Sequence, residues 1–344
     1  MTLYKLSVST QVNPEDWDKD VIRLSGNSLH SYTWSRYSAE KNSTAPLYFR
    51  LKDNSENVIA VSLGFLTEKK MGIRFYSSLA LGSMAAANTS ENARVMAHEI
   101  HKYCRNNNIV VLSMNSFGTP GESDVIPEMG FSSSRRWEFV LDIGVTEEEL
   151  WEKLHSKKRN LIRKGQKEGL RVVNEKGLDK LLKFRQLAVD TYERKTRQGI
   201  PYPAPGANSI YNRMQKHLVD SGLGRLYLAY SDDQVVAGAF FVAFNKQVYY
   251  MLSSASDTGL KMAAPDLILW TSITDYQKEG CTLFNFGGLS EGELNGSPLE
   301  QSGLYHFKHR FSPQVFPCFK GKLILRPLHH RIYSFVKKLK SMTL

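Results

Sequence analysis

The feature that most limits the fold of this 344-residue chain is an internal repeat. The stretch LYFRLKDNSENVIAVSLGFL, which begins at Leu47, resembles LYLAYSDDQVVAGAFFVAF, which begins at Leu226. Each stretch predicts a strand, a polar turn and a second strand, because apolar and β-branched runs flank a short polar run. Two copies of one unit, about 180 residues apart, predict two similar domains rather than one large domain.

Both copies continue in the same order. A third strand is predicted at IRFYSS and at VYYMLSS, a helix at SENARVMAHEIHKYCRNNN and at PDLILWTSITDYQKEG, and a closing strand at IVVLSM and at CTLFNF. Thr89 or Ser90 is suited to cap the first helix, and Pro265 is suited to the first turn of the second. This β-β-β-α-β order predicts the α/β (α+β) class, with a mixed central sheet flanked by helices in each domain.

The segment between the copies predicts a helix that joins them. Thr146 and Glu149 have the spacing of a capping box, and the acidic first turn complements the helix dipole. Gly165 and Gly169 are candidate helix ends. The predicted division is a first domain at 1–150, a junction helix at 151–170, a second domain with the active cleft at 171–327 and a basic C-terminal tail at 328–344.

The junction helix is strongly basic, with seven Lys or Arg from Lys153 to Lys167. Arg159 and Arg163 are four residues apart and share a face, where like charges repel. Two interpretations stay open: a solvated basic face, or a surface that holds a phosphate-bearing partner. The net charge of +11 for the whole chain fits either a polyanionic partner or a soluble surface.

Composition indicates an ordinary folded protein of a reducing compartment. Hydrophobic residues make up 42% and charged residues 23%, values that are ordinary for a soluble folded protein. Three cysteines without a CxxC spacing argue against a disulfide framework. No secretory signal is visible at the start, and the longest apolar run, Val235 to Phe244, is too short to cross a bilayer. We therefore expect a cytoplasmic protein.

Several common catalytic motifs are missing from the sequence. There is no GxSxG, GxGxxG or Walker A segment. His98 and His101 form HExH rather than the HExxH of zinc proteases, so a metal site is not expected.

One candidate binding segment is TYERKTRQGIPYP, which spans Thr191 to Pro203. Arg194 and Arg197 lie near Tyr202 in this segment, and cations beside aromatic rings suit phosphates and a stacked base or sugar. The alternative is an ordinary loop that follows a helix.

A second candidate segment is NFGGLSEGELNGSPLEQSGLYHFKHRF, which begins at Asn285. Gly287 and Gly288 follow a predicted strand end, where glycine lets the backbone approach a ligand closely. The segment then brings Tyr305 and Lys308 in an aromatic and cationic run, and a cation at such a place can stabilise a developing oxyanion. The alternative is a flexible loop without a ligand.

The C-terminal tail has the pattern of an amphipathic helix. Its apolar stripe consists of Ile332, Phe335, Val336 and Leu339, with Lys and Arg elsewhere. Docking of this stripe on the core of the protein is the favoured interpretation, and contact with an anionic membrane surface is the alternative.

Four of these segments together resemble the Fem family of peptidoglycan aminoacyltransferases. They are LHSKKRNLIRKGQKEG, TYERKTRQG, PDLILWTSITDYQKEGCTLFNFGG and GLYHFKHRF with Gly321 following. The likeness runs from about Leu47 to Pro327 and extends to the Fem-like branch of the GNAT superfamily. It implies two tandem GNAT-like (acyl-CoA N-acyltransferase-like) domains, in agreement with the repeat.

The resemblance also implies a reaction. An aminoacyl group would move from aminoacyl-tRNA to an amine of a diphosphate-bearing peptidoglycan precursor, with no bound cofactor. Lys308, in the GlyxxxFKxxF segment of the family, is the implied catalytic residue, with Phe307 beside it. The implied substrate-binding residues are Arg159, Arg163, Arg194, Arg197, Tyr202, Gly287, Gly288 and Tyr305. The resemblance leaves open whether the cytoplasmic enzyme contacts the inner face of the membrane.

Two other functions stay open. The first is a CoA-dependent N-acyltransferase that acts on a nucleotide-sugar or an exopolysaccharide or lipid precursor. GNAT enzymes of that kind hold the pyrophosphate of CoA with an R/Q-x-x-G-x-G/A turn, and neither SDTGLKMAAPDL nor LGSMAAANTSEN contains it. The second is a non-catalytic module that binds nucleic acid or lipid on the same fold.

Overall fold

The computed structural model describes residues 4–71, 74–118, 125–200, 202–290 and 303–342. The strands in these residues are β1 Lys5–Ser9, β2 Ala45–Lys52, β3 Val58–Met71, β4 Arg74–Leu81, β5 Ala86–Ala87, β6 Val111–Asn115, β7 Ser132–Asp142, β8 Arg171–Glu175, β9 Gly224–Ser231, β10 Gln234–Phe244, β11 Gln247–Ala255, β12 Leu283–Ser290 and β13 Gln314–Ile324. The α-helices are α1 Pro14–Arg23, α2 Tyr32–Asn42, α3 Ser90–Asn106, α4 Val125–Glu128, α5 Glu147–Lys153, α6 Ser156–Lys167, α7 Leu178–Arg197, α8 Asn208–Met214, α9 Asp257–Lys261, α10 Ala264–Lys278, α11 Gly303–His309 and α12 Pro327–Met342.

The chain divides into two compact units. The first consists of Met1–Glu138 and Phe316–Leu344, and the second of Phe139–Val315. The predicted division placed residues 316–327 in the second domain, whereas the structure returns them to the first. The reason is that β13 pairs antiparallel with β6, so that a late strand completes the first sheet.

The first unit has the strand order β1-β2-β3-β4-β6-β13, with β7 next to β13. Neighbouring strands are antiparallel except β4 and β6, which are parallel. Helix α3 packs on this sheet because Met96, Ile100 and Cys104 form its buried stripe. Its N-cap is Thr89, whose side chain accepts the N–H of Asn92, as the sequence predicts.

The second unit repeats the arrangement with the order β8-β9-β10-β11-β12. Its pairs are again antiparallel except the last, β11 and β12, which is parallel. The predicted fold class and the predicted repeat are therefore confirmed. The repeat is also longer than predicted, because β1 and β8 each precede two helices and then the β-β-β-α-β order. These strands are partly exposed, so their sequence pattern is weak.

The predicted junction helix is two helices, α5 and α6, and both belong to the second unit. Thr146 and Glu149 form the predicted capping box of α5. The helices separate at Leu154, which is extended and buried, and the ring of His155 then caps α6 by accepting the N–H of Lys157.

Of the two glycines predicted to end the junction helix, only Gly169 lies at a helix end. Gly169, with φ of +73°, follows α6. Gly165 lies inside α6, where a Cβ atom would come within 3.2 Å of Leu267 on α10. Its function is therefore close helix packing.

The predicted C-terminal tail is helix α12, which belongs to the first unit. Its stacking contact with the unit is made by Tyr333, whose ring lies on Tyr76 of β4. Docking through Ile332 and Phe335, the favoured prediction, is wrong because both side chains are exposed. Leu339 lies in the helix, and its side chain is outside the described part of the chain.

Candidate functional site

The parallel pairing of β11 and β12 in the second unit is short. In the described register, the two strands pair at Gln247 with Leu283, Val248 with Phe284 and Tyr249 with Asn285. Both strands continue past the last of these pairs, to Ala255 and to Ser290. We call the region between the two strands beyond that pair the β11–β12 cleft.

A β-bulge lies at the mouth of the cleft. On β10, Phe240 pairs with Leu252 and Phe241 pairs with Tyr250, so Met251 is an extra residue on β11. A bulge increases the local twist and redirects the backbone. It therefore changes the direction of β11 just beyond its last pair with β12.

Gly287 keeps the cleft open on the β12 side. Its φ is +72°, and its N–H donates to the Asn285 side chain at 2.8 Å. A Cβ atom at this position would be 3.5 Å from the Tyr250 carbonyl oxygen, 3.6 Å from the Tyr249 hydroxyl and 3.9 Å from the Lys308 Nζ. A carbonyl, a phenol and an ammonium thus converge on the space that glycine leaves.

Lys308 supplies the cation at the cleft. It lies on α11 with 5% of its surface exposed, and its Nζ donates to the Gly288 carbonyl at 3.2 Å. The ring of Phe139 is 5.6 Å from the same atom. A charge that is shielded from water acts more strongly on a nearby oxyanion than an exposed one. The structure therefore brings together three predicted residues, Gly287, Gly288 and Lys308.

A second buried lysine holds the helix that carries Lys308. Lys158 of α6 is 1% exposed and forms an ion pair with Asp266 of α10. Its Nζ lies 4.2 Å from the ring centroids of both Phe307 and Phe311, on either side of Lys308 in sequence. Burial lowers the pKa of Lys158, and the Asp266 carboxylate opposes that shift. This cluster joins α6 and α10 to α11.

Tyr305, another predicted substrate-binding residue, lies on the same helix as Lys308. Its ring meets Phe139 edge-on at 5.7 Å and stacks with His309 at 5.0 Å. Both Tyr305 and Phe307 therefore help to fix α11.

The guanidinium of Arg159 binds backbone carbonyl groups of the protein itself. Its Nη1 donates to the carbonyl groups of Leu154 at 2.7 Å and Glu152 at 2.9 Å, at the end of α5. A cation there satisfies free carbonyls and complements the helix dipole.

Arg163 lies over the ring of Trp151 at 5.2 Å. Both line a groove of about 430 Å³ together with Trp270 and three Glu side chains. An anion in this groove would meet carboxylates, so the groove does not favour a phosphate.

The other predicted cations lie at the end of α7. Arg194 donates to the Ala255 carbonyl at 3.1 Å and to Asp257 at 2.9 Å, where β11 ends. Arg197 and Tyr202 are exposed beyond it. Arg194 therefore marks the rim of the β11–β12 cleft.

The N-terminus of α10 is a poor phosphate cradle. Pro265 has no N–H, and the N–H groups of Asp266 and Leu267 both donate to the Ala263 carbonyl. The first turn also carries the Asp266 carboxylate. A diphosphate at this helix end would find few backbone donors.

Sequence reasoning missed Tyr249, Met251, Lys158 and Asp266. The signal for Tyr249 is its place in VYYMLSS, two residues after the start of the strand, but only the folded structure shows that its hydroxyl lies near Gly287. In the sequence, Lys158 is one charge in the basic run from Lys153 to Lys167. Its burial depends on a partner 108 residues away.

Two further properties concern the described residues alone. They contain no group of three or more His, Cys, Asp or Glu side chains that could hold a metal ion. Among the same residues, none of the helices combines the length and apolar character that a membrane crossing needs.

Comparison with known proteins agrees with this fold. Residues 152–309, within the second unit, match the model of the acetyltransferase (GNAT) domain. No curated protein matches the chain in sequence. The crystal structure of FemX is similar with a TM-score of 0.75 at 13% identity, over 95% of this chain and 99% of that chain.

Two other solved structures are similar at lower scores. The C-terminal domain of a putative lysylphosphatidylglycerol synthetase from Agrobacterium fabrum has a TM-score of 0.55 at 12% identity, over 90% of this chain and 92% of that chain. A tandem GNAT protein from the clavulanic acid biosynthesis pathway has a TM-score of 0.50 at 10% identity, over 94% and 99%. The chain therefore has a Fem-like fold of two tandem GNAT-like domains. The match of residues 152–309 to the acetyltransferase (GNAT) domain model supports an acyltransferase.

Proposed function

We propose that the chain is an N-acyltransferase that moves an aminoacyl group from aminoacyl-tRNA to an amine of a diphosphate-bearing peptidoglycan precursor. The observation that carries this proposal is the buried Lys308 ammonium beside the glycine-lined β11–β12 cleft. That placement supports the reaction class, and the surroundings of the cleft support the choice of donor and acceptor.

The cleft suits aminolysis of an ester. The amine nitrogen bonds to the carbonyl carbon, a tetrahedral oxyanion forms, and the ester C–O bond then breaks. Lys308 lies where it can stabilise that oxyanion, with a contribution of about 3 kcal/mol, as for an oxyanion-hole donor. The cleft groups near Gly287 are an ammonium and a phenol, which accept protons poorly at neutral pH. We therefore assign the proton of the amine to solvent and finally to the departing ribose oxygen.

The donor is inferred from α10. Acyl-CoA would place its diphosphate against backbone N–H groups at such a helix start. Pro265 and the two N–H groups that bond to Ala263 reduce the available donors. Aminoacyl-tRNA does not need that cradle, because its reactive ester has no neighbouring diphosphate.

The acceptor is inferred from the rim of the cleft. Arg194 lies at the end of β11, and the exposed Arg197 follows it at the end of α7. Cations in this position suit the diphosphate of a nucleotide-sugar or polyprenyl precursor. The fold shared with the crystal structure of FemX agrees with the acceptor that the resemblance to the Fem family implies.

The proposal is tested by a donor screen with the full chain. Aminoacyl-tRNA and acetyl-CoA are offered separately with a peptidoglycan precursor, and the product is read by mass spectrometry. We expect a mass gain of one aminoacyl residue with tRNA, and none with acetyl-CoA. An acetylated product would support the CoA-dependent alternative instead. No product with either donor, from protein that binds the precursor, would favour a non-catalytic binding module.

A further inference from the structure

Helix α12 has a well-defined inward face. Tyr333 stacks on Tyr76 with ring centroids 3.8 Å apart, and His330 shares a hydrogen bond of 3.1 Å with the Tyr76 hydroxyl. Just before the helix, Arg326 donates to the Arg105 carbonyl at 3.2 Å. These contacts fix which side of α12 faces the first unit.

The outward face carries a row of large apolar side chains. Leu328 is 67% exposed, Ile332 is 40% exposed and Phe335 is 63% exposed. Their spacing of four and three residues places them along one side of the helix. A surface helix ordinarily buries such a row against its own protein, so the row needs another explanation.

A basic row runs beside the apolar row. Arg331 and Lys338 are exposed, and at about 100° per residue they lie 60–80° from Leu328 around the helix axis. The segment from Pro327 to Met342 contains no Asp or Glu. The outward side of α12 is therefore apolar along one edge and cationic along the other.

We propose that the outward face of α12 binds the surface of an anionic phospholipid bilayer. The apolar row would enter the boundary between headgroups and acyl chains, while Arg331 and Lys338 meet lipid phosphates. A nucleic acid would use the basic row alone and would gain nothing from exposed Leu and Phe. The inference rests on α12 and does not depend on the donor or the reaction proposed above.

The test measures partitioning of the full chain onto lipid vesicles by sedimentation. One vesicle preparation is phosphatidylcholine alone, and the other contains phosphatidylglycerol as well. We expect at least tenfold stronger partitioning onto the anionic vesicles. Leu328→Ser with Phe335→Ser should lower it at least tenfold. Arg331→Glu with Lys338→Glu should lower it at least 25-fold, because each cation contributes roughly fivefold.

Matched controls separate α12 from general surface properties. Ile22→Ser with Leu178→Ser removes two exposed apolar side chains elsewhere, and Lys176→Glu with Lys183→Glu makes the same change in net charge. These variants should partition like the wild type. All substituted residues are exposed, so thermal unfolding should report folded protein in each case.

Three outcomes would overturn the proposal. Wild-type partitioning of the α12 variants would show that the outward face of the helix is a solvated surface. Equal partitioning onto both vesicle types would remove the anionic requirement. Loss of a self-associated form in the Leu328→Ser and Phe335→Ser variant, seen by analytical ultracentrifugation without lipid, would identify a second copy of the chain as the occupant.

Discussion

The first and second units build the same parallel strand pair and end it differently. In the first unit, β4 and β6 pair from Ser78 with Val111 to Ala80 with Ser113, just as β11 and β12 do from Gln247 with Leu283 onward. Counting on from these pairs, Asn115 corresponds to Gly287. The Asn115 amide donates to the Leu81 carbonyl at 3.2 Å and bridges the strands.

The carbonyl that Asn115 reaches in the first unit corresponds to that of Tyr250 in the second. There, Gly287 offers no side chain, and the Tyr250 carbonyl borders the cleft. The preceding hairpins differ as well: β3 and β4 stay in register from Gly64 to Met71, whereas β10 and β11 have the bulge at Met251. In the first unit a side chain thus bridges the two strands beyond their last pair, and in the second unit the corresponding place is a glycine beside Lys308.

The largest expected effect on stability comes from a buried ion pair in the second unit. The second unit buries the Lys158–Asp266 pair, whereas at the start of α3 the exposed Thr89 cap accepts the N–H of Asn92. Lys158→Met leaves the Asp266 carboxylate buried without its partner, so the free energy of unfolding should fall by about 3–5 kcal/mol. Urea unfolding measures this fall.

Two further variants sharpen that test. Lys157→Met changes an exposed neighbour and should leave the free energy of unfolding within about 0.5 kcal/mol of wild type. Lys158→Met with Asp266→Leu removes both charges and should recover much of the loss. If Lys158→Met were as stable as Lys157→Met, the pair would not hold α11 and α10 together.

The second test removes the cation of the open cleft. Lys308→Met should lower kcat at least a hundredfold, or about 2.7 kcal/mol, because the oxyanion loses its charged donor. Lys176→Met, an exposed lysine in the same unit, is the control and should keep wild-type turnover. Near-normal turnover of Lys308→Met, with folding unchanged by circular dichroism, would contradict the assigned role.

The third test exchanges Gly287 and Asn115, the residues at corresponding places of the two parallel strand pairs. Gly287→Asn should lower turnover at least tenfold, since its side chain enters the space between the Tyr250 carbonyl and Lys308. Asparagine tolerates a positive φ, so folding should be kept. Gly280→Asn is the matched control, with φ of +84° and open space around its Cβ position.

The reverse exchange is made in the first unit. Asn115→Gly loses two side-chain hydrogen bonds, one to the Leu81 carbonyl and one from the Phe117 N–H. It should cost about 2 kcal/mol in the free energy of unfolding, with turnover unchanged. Equal loss of turnover in Asn115→Gly and Gly287→Asn would show that both parallel strand pairs, β4–β6 and β11–β12, take part in the reaction.

The smallest expected effect concerns the two arginines of α6. Arg159→Gln should lower the free energy of unfolding by about 1 kcal/mol, because α5 loses its C-terminal cation, and should leave tRNA affinity unchanged. Arg163→Gln should leave stability unchanged and, if tRNA contacts this face, reduce the slope of affinity against salt by about one. A salt titration of tRNA binding checks both variants. Equal loss of affinity in both would restore the single basic binding face predicted from the sequence.

The sequence predicted those parts of the structure that depend on local spacing. The capping box at Thr146, the cap at Thr89 and the two strand-and-helix repeats all follow from residues a few positions apart. The break at Leu154 was not predictable in the same way, because it depends on burial of that side chain. The return of β13 and the open state of one cleft depend on pairing between distant strands. For the same reason, Gly287 and Lys308 could be named from the sequence, but their convergence with Tyr249 could not.

The position of β13 has a consequence for synthesis. The ribosome makes β6 early and β13 only after the whole second unit. Until then, the edge of β6 that β13 will cover has no strand beside it, and an uncovered edge invites pairing with other chains. The second unit, which is continuous in sequence, can fold before the first sheet is complete. The second unit, which contains the β11–β12 cleft, is thus synthesised completely before the first unit is.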